Sequence, residues 1–208
     1  MNKHKLFCDV DNVVIPTNEI MPRLYEELTG VKPKAYKTKE WNMKDLYDTS
    51  DLDKNIVHKL FEVERFFELA RPYKRCVRTL FNLNDYYDIY FVSVGSAENL
   101  TLKREWLKDN FPFVPEENYM LLEQIGKAHS IDKSCCVDGV IIDDNLSALL
   151  STTDCLRIMF QPYGDKLAWQ SGYEELLLKD EIHKVVTEWN QEFENYLIDY
   201  ASFLERWE

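Results

Sequence analysis

Five short apolar runs punctuate this chain: Lys5 to Cys8, Ile89 to Ser93, Tyr119 to Leu122, Val140 to Ile142 and Arg157 to Phe160. Runs of this length read as strands buried on both faces, which is the condition of strands in a parallel sheet. Their alternation with helical stretches predicts an α/β fold, a Rossmann-like parallel sheet of about five strands flanked by helices.

The first two runs are separated by about eighty residues, far more than the dozen or so a crossover helix needs. An insertion therefore follows the first strand. Within it, Asn18 is placed to cap a helix carrying Ile20, Leu24 and Leu28 and stopped by Gly30. Asp51 or Asp53 is placed to start a second, carrying Ile56, Val57, Leu60 and Phe61. The expected organisation is a core of residues 1–16 and 72–178, a small helical cap of residues 17–71, and a C-terminal helical extension of residues 179–208. The helix after Pro72, with Cys76, Val77 and Leu80, leads back to the sheet.

In the extension, Ile182, Val186, Trp189, Phe193, Tyr196, Tyr200, Phe203 and Trp207 are spaced by four and three residues in turn, the seam of a long helix. Such a seam either docks on its own domain or makes a homodimer contact.

Several function classes are disfavoured by composition. The net charge of −12 opposes a nucleic-acid polymer as partner, because affinity for a phosphate backbone comes from Lys and Arg. No apolar run approaches a membrane span, and the N-terminus lacks a signal-peptide core, so the expectation is a cytoplasmic protein that does not engage a membrane. Cys8, Cys76, Cys135, Cys136 and Cys155 form no Cys-x-x-Cys pair and read as reduced core residues rather than zinc ligands.

Chemistry gathers at the strand ends. The first run leads into Asp9-Val10-Asp11-Asn12, placing two acids on the carboxyl edge where open parallel sheets bind ligands. A pair of this kind is as often a turn as a metal site, so other residues must converge on it. Ile141-Ile142 ends in Asp143-Asp144, and two acid pairs on one edge call for a hard cation, for which Mg²⁺ fits best. Ser93 closes the second run, followed by Gly95 and Ser96, giving a hydroxyl and a turn for phosphate oxygens. Lys133, in Ser130-Ile131-Asp132-Lys133-Ser134, lies ten residues before Asp143 and can sit beside the acids; Lys127 is the rival position.

Taken in order, Asp-x-Asp, Ser, Lys and Asp-Asp resemble the haloacid dehalogenase superfamily of phosphatases. Within it the chain is most similar to the 5'(3')-deoxyribonucleotidases, from about Lys5 to Leu178. Phe66-Phe67-Glu68-Leu69-Ala70-Arg71-Pro72, the spacing of Ile131-Asp132-Lys133-Ser134 to Ile142-Asp143-Asp144, and Leu167-Ala168-Trp169 carry that similarity. Two departures stand out: Asn12 occupies a position where Gly is usual, and Ser93-Val94-Gly95-Ser96 replaces the usual Thr-Ser turn.

The resemblance implies a Mg²⁺-dependent phosphomonoesterase in which Asp9 is the nucleophile, forming an aspartyl-phosphate, and Asp11 the general acid/base. It further implies metal binding by Asp9, the Asp11 backbone carbonyl, and Asp143 and Asp144, without saying which of the last two is the direct ligand. Phosphate binding would fall to Lys133 and to Ser93 or Ser96. The expected substrate is a small phosphorylated metabolite, a nucleoside monophosphate above all, with Trp41, Tyr47, Phe66 and Phe67 as candidates to stack on a base. Competing readings are a phosphatase of another target such as a sugar phosphate, a phosphoacceptor receiver domain, whose acid and hydroxyl order differs, and a non-catalytic interaction protein on the same fold.

Overall fold

The computed structural model describes residues 3–48, 52–124, 131–164 and 166–206. Its centre is a parallel sheet of six strands: β1 (His4–Asp9), β2 (Tyr87–Gly95), β3 (Tyr119–Glu123), β4 (Val137–Asp143), β5 (Thr153–Phe160) and β6 (Lys184–Val186). The strands lie in the order β3-β2-β1-β4-β5-β6. The five apolar runs each fall within one of the first five strands, and the sixth adds an edge beyond β5.

β1 is central, paired with β2 on one side and β4 on the other, so the chain leaves it in two directions. That reversal opens a crevice at the carboxyl ends of the strands, the usual ligand site of such sheets. The register aligns Asp9 with Val92 and Cys8 with Ile142, which brings Ser93 and Asp143, each one residue further on, to the same edge as Asp9. Helices α4 (Cys76–Leu83), α5 (Ala97–Asn110), α6 (Leu146–Ser151) and α7 (Tyr173–Leu178) lie between and after the strands.

Between β1 and α4 run α1 (Thr17–Thr29), α2 (Lys54–Lys59) and α3 (Glu64–Leu69). Gly30 ends α1 in the left-handed conformation (φ 74°), as its position in the sequence suggests. The start differs from expectation: Pro16 is the capping residue, and Asn18 lies inside the first turn, buried. Leu28 is exposed rather than on the apolar face. Of the two proposed starts of the second helix, the Asp53 carbonyl accepts from the N–H groups of Ile56 and Val57, while Asp51 lies outside the described residues. Ile20, Leu24 and Phe66 join Leu6, Phe91 and Ile142 in one apolar cluster, so the inserted helices share the core of the sheet.

The C-terminal seam is not one helix. Val186 belongs to β6, Ile182 and Trp189 lie in the connections around it, and the helix α8 (Gln191–Leu204) begins only after Asn190 caps Phe193 N–H. The exposed edge of β5 captures the Lys184–Val186 segment, and backbone pairing there outweighs helical spacing. Ile182, Val186, Trp189 and Phe193 are buried against their own chain; Phe203 is half-exposed, and Trp207 lies outside the described residues. α8 docks through Glu194, which accepts from Thr79 and Asn82 of α4, and through the Leu197 carbonyl, which accepts from the Tyr87 hydroxyl. Trp189 reaches back to donate its indole N–H to the Val13 carbonyl (2.8 Å).

Among the described residues no helix is long and apolar enough to cross a membrane. The five cysteines form no disulfide; four are buried, and Cys135 is exposed, where the sequence reading placed it in the core.

Candidate active site

Beyond β1 the chain turns sharply, with the Val10 carbonyl accepting from both Val14 and Ile15 N–H. The turn leaves Asp9 and Asp11 near one another but in different company. Asp9, buried, meets Lys133 Nζ at 2.5 Å through Oδ1. Asp11, partly exposed, accepts from Thr17 Oγ1 (2.9 Å) and from Lys103 Nζ (2.6 Å).

Lys133 is almost wholly buried and makes two more bonds, to the Val92 carbonyl (3.1 Å) and to Asp143 Oδ2 (2.6 Å). Burial opposes its charge, but Asp143 and Asp9 together hold its pKa above the ordinary lysine value. Asp143 Oδ1 accepts from Asn145 N–H at 2.7 Å, so both of its oxygens are engaged. Asp144, also buried, accepts from Trp169 Nε1 at 3.1 Å, and its backbone carbonyl accepts from Gln170 Nε2.

Lys103, on α5, has no counterpart in the sequence reading. It is fully buried and donates to Asp11 and to Ser93 Oγ (2.7 Å), placing a second ammonium in the site. Its signal was available: Leu100, Lys103, Trp106 and Leu107 share one helical face, so the lysine sits on a side otherwise given to the core.

The two serines part company. Ser93 is buried beside Lys103, whereas Ser96 caps α5 by accepting from Asn99 N–H (3.3 Å). Lys127 and Ser130 lie outside the described residues.

Asp9, Asp143 and Asp144 each offer an oxygen within 4.8 Å of the others, the arrangement of a hard-cation site. Burial, then the competing influence of Lys133 and of Asp143 and Asp11, leaves the Asp9 carboxyl pushed up to about 7. Burial and the charges of Asp9 and Asp143 also raise Asp144 well above the usual carboxylate range. Three buried acids facing one buried lysine carry more negative charge than the protein neutralises, and a divalent cation fits that excess.

A cavity of about 300 Å³ opens over these groups, lined by Asp9, Asp11, Ser93, Lys133 and Asp144 together with Trp41 and Trp169. Trp41 is partly exposed, stacks on Phe61 (4.8 Å between centroids, 10° between planes) and meets Trp169 edge-on at 5.8 Å. The other aromatic candidates lie elsewhere. Phe66 and Phe67 pack together in the core, and Tyr47 is buried against Tyr25 with its hydroxyl donating to the Pro22 carbonyl.

The fold is that of the haloacid dehalogenase-like hydrolases. A predicted phosphatase from Clostridium acetobutylicum superposes with a TM-score of 0.57 at 12% identity, covering 96% of this chain and 100% of that one. A haloacid dehalogenase family hydrolase from Deinococcus radiodurans, solved with bound phosphate and sodium, gives 0.55 at 12% identity, with 89% and 91% covered. No protein-family model matches the chain. In sequence it is similar to a 5'(3')-deoxyribonucleotidase of Clostridium acetobutylicum, 27% identical over 146 residues, or 70% of this chain and 75% of that protein.

Proposed function

We propose that the protein is a Mg²⁺-dependent phosphomonoesterase working through an aspartyl-phosphate, with nucleoside monophosphates as its substrate class. The observation that carries this reading is the convergence of two acid pairs, Lys133 and the Ser93 hydroxyl on one small cavity, with the buried Lys103 bonded to Asp11 and Ser93.

In this reading Asp9 attacks phosphorus. Lys133 holds its Oδ1, and among the described residues Oδ2 has no protein donor and is the attacking oxygen. Asp11 hands a proton to the leaving alcohol and takes one from the water that later splits the acyl phosphate. Lys103 fixes the Asp11 carboxylate and the Ser93 hydroxyl, and with Lys133 it meets the negative charge on the phosphoryl oxygens. Asp9 and Asp144 would hold the ion, the Asp143 oxygens being engaged by Lys133 and Asn145. The Asp11 backbone carbonyl would be a further ligand. A bound Mg²⁺ would neutralise phosphoryl charge and keep Asp9 ionised.

Residues 17–71 act as the cap, and its Trp41–Phe61 stack with Trp169 gives a planar base a wall to lie against. A sugar phosphate fits the same phosphate site but makes no use of that wall. Ser93, rather than Ser96, is the phosphate hydroxyl in this scheme, since Ser96 is committed to capping α5. In a homodimer through α8 the half-exposed Phe203 would be available, whereas Ile182, Val186, Trp189 and Phe193 are covered by their own chain.

The test is phosphate release from a panel of nucleoside monophosphates and sugar phosphates, with and without Mg²⁺, on the wild-type chain and on Asp9→Asn. Turnover that needs Mg²⁺ and vanishes in the variant supports the assignment. Full activity in Asp9→Asn removes the nucleophile, and no turnover of any phosphomonoester favours an interaction protein on this fold.

A further inference from the structure

A second cavity, of about 290 Å³, adjoins the one over the acids and shares Asp11, Trp41, Val94 and Gln124 with it. Asp11 gives that shared wall its meaning. A group that protonates an ester oxygen must stand within hydrogen-bond reach of it. A phosphate seated over Asp9 and Lys133 with its ester oxygen turned to Asp11 therefore sends its alcohol half towards the second cavity.

The rest of the lining comes from Phe61 and Glu62 of the inserted segment and from Gly95, Ser96 and Asn99 at the start of α5. These two parts are pinned together: the buried Asn99 donates Nδ2–H to the Phe61 carbonyl at 2.7 Å and its backbone N–H to Ser96 Oγ. Gly95 permits the fit, since a Cβ there would meet Asn99 Oδ1 at 2.6 Å. Charge in the lining is one-sided. Among the described residues it holds two carboxylates, Asp11 and Glu62, and no lysine, arginine or histidine. Asp11 is met by Lys103 Nζ (2.6 Å) and Thr17 Oγ1 (2.9 Å). Glu62 is exposed, and among the described residues no hydrogen bond or ion pair engages its carboxylate or the Gln124 amide.

We infer that the second cavity receives the alcohol half of the substrate and that Glu62 selects its charge: monoesters with an uncharged, donor-bearing alcohol are accepted, and those whose alcohol carries a carboxylate or a second phosphate are turned away. The inference rests on the phosphomonoesterase reading and narrows its substrate class. Sugar hydroxyls and the N–H groups of a base both offer donors to a free carboxylate. An anionic alcohol instead meets a like charge with no cation beside it. Because Glu62 faces solvent, its charge acts through a high dielectric and weights the choice by a modest factor rather than an absolute one.

The test compares kcat/KM within two matched pairs, on the wild-type chain and on Glu62→Lys. One pair is glycerol phosphate against phosphoglycolate; the other is a nucleoside monophosphate against the same nucleoside phosphorylated at both sugar hydroxyls. In each pair that is turned over, the wild type should prefer the member with the uncharged alcohol, and Glu62→Lys should move the ratio about tenfold towards the anionic member. That shift should shrink in high salt, where exposed charges are screened, which a merely structural role for Glu62 would not produce. A wild type that handles both members of a pair equally, or a ratio that stays within about twofold in the variant, overturns the inference and leaves the phosphatase reading standing. Release of phosphate from no monoester at all brings down that reading and this inference together.

Discussion

Lys103 Nζ lies 2.6 Å from Asp11 Oδ2, and this ion pair joins the middle of α5 to the loop after β1, across 92 residues of sequence. The same nitrogen holds Ser93, so one buried ammonium orients both the proposed proton carrier and the proposed phosphate hydroxyl. Lys103→Met keeps the length and apolar stem while deleting the charge. Phosphate release by this variant should fall by about 100- to 1,000-fold, the usual loss when one preorganised donor is removed from a reacting centre. Steady-state kinetics on any accepted phosphomonoester would measure it; a loss below threefold would make Lys103 a structural residue only.

The raised pKa of Asp9 ties stability to pH. In the folded, metal-free protein this carboxyl keeps its proton up to about 7, whereas the unfolded chain releases it near the ordinary aspartate value of 3.8. Its contribution is therefore fully present below the unfolded pKa and is lost as pH rises through about 7; Asp144 is shifted in the same direction. Cation binding needs both acids ionised, so stabilisation by Mg²⁺ should grow as pH rises. Melting curves recorded with and without Mg²⁺ near pH 5 and near pH 8 would show the gap widening. In Asp9→Asn the metal-free curve should depend less on pH.

Trp41 provides a handle on substrate choice. Its ring is the exposed partner of the Phe61 stack and borders the cavity, so Trp41→Ala should raise KM for a nucleoside monophosphate by up to about tenfold, the worth of one aromatic contact. KM for a small sugar phosphate should barely move. Equal effects on both substrates would count against base stacking.

Trp189 tests the C-terminal segment. It is buried among Phe160 and Phe193, and its indole donates to Val13 O in the turn that follows Asp9. Trp189→Ala should cost about 3–5 kcal/mol in denaturant unfolding. A loss under about 1 kcal/mol would mean that residues after 179 are an ornament on a core that stands without them.

Much of this was legible in the sequence because buried parallel strands announce themselves as apolar runs, and acids placed directly after such runs have little freedom in where they end up. Asp9, Asp143 and Ser93 reach one edge through register alone. β6 was hidden because Lys184–Val186 is too short to show a period of its own and shares its valine with a helical spacing. Lys103 was hidden because lysines on a helix are mostly solvated, and only the apolar neighbours on its face argue otherwise. Phe66 and Phe67 illustrate the opposite error: aromatic residues next to a proposed pocket turned out to be core, since α3 points both rings inward.

The bond between Trp189 and Val13 also bears on synthesis. The turn that carries Asp11 follows β1, yet the indole bonded to it emerges from the ribosome 176 residues after Val13. A nascent chain that has released β1 but not yet Trp189 therefore lacks one of the bonds that brace that turn.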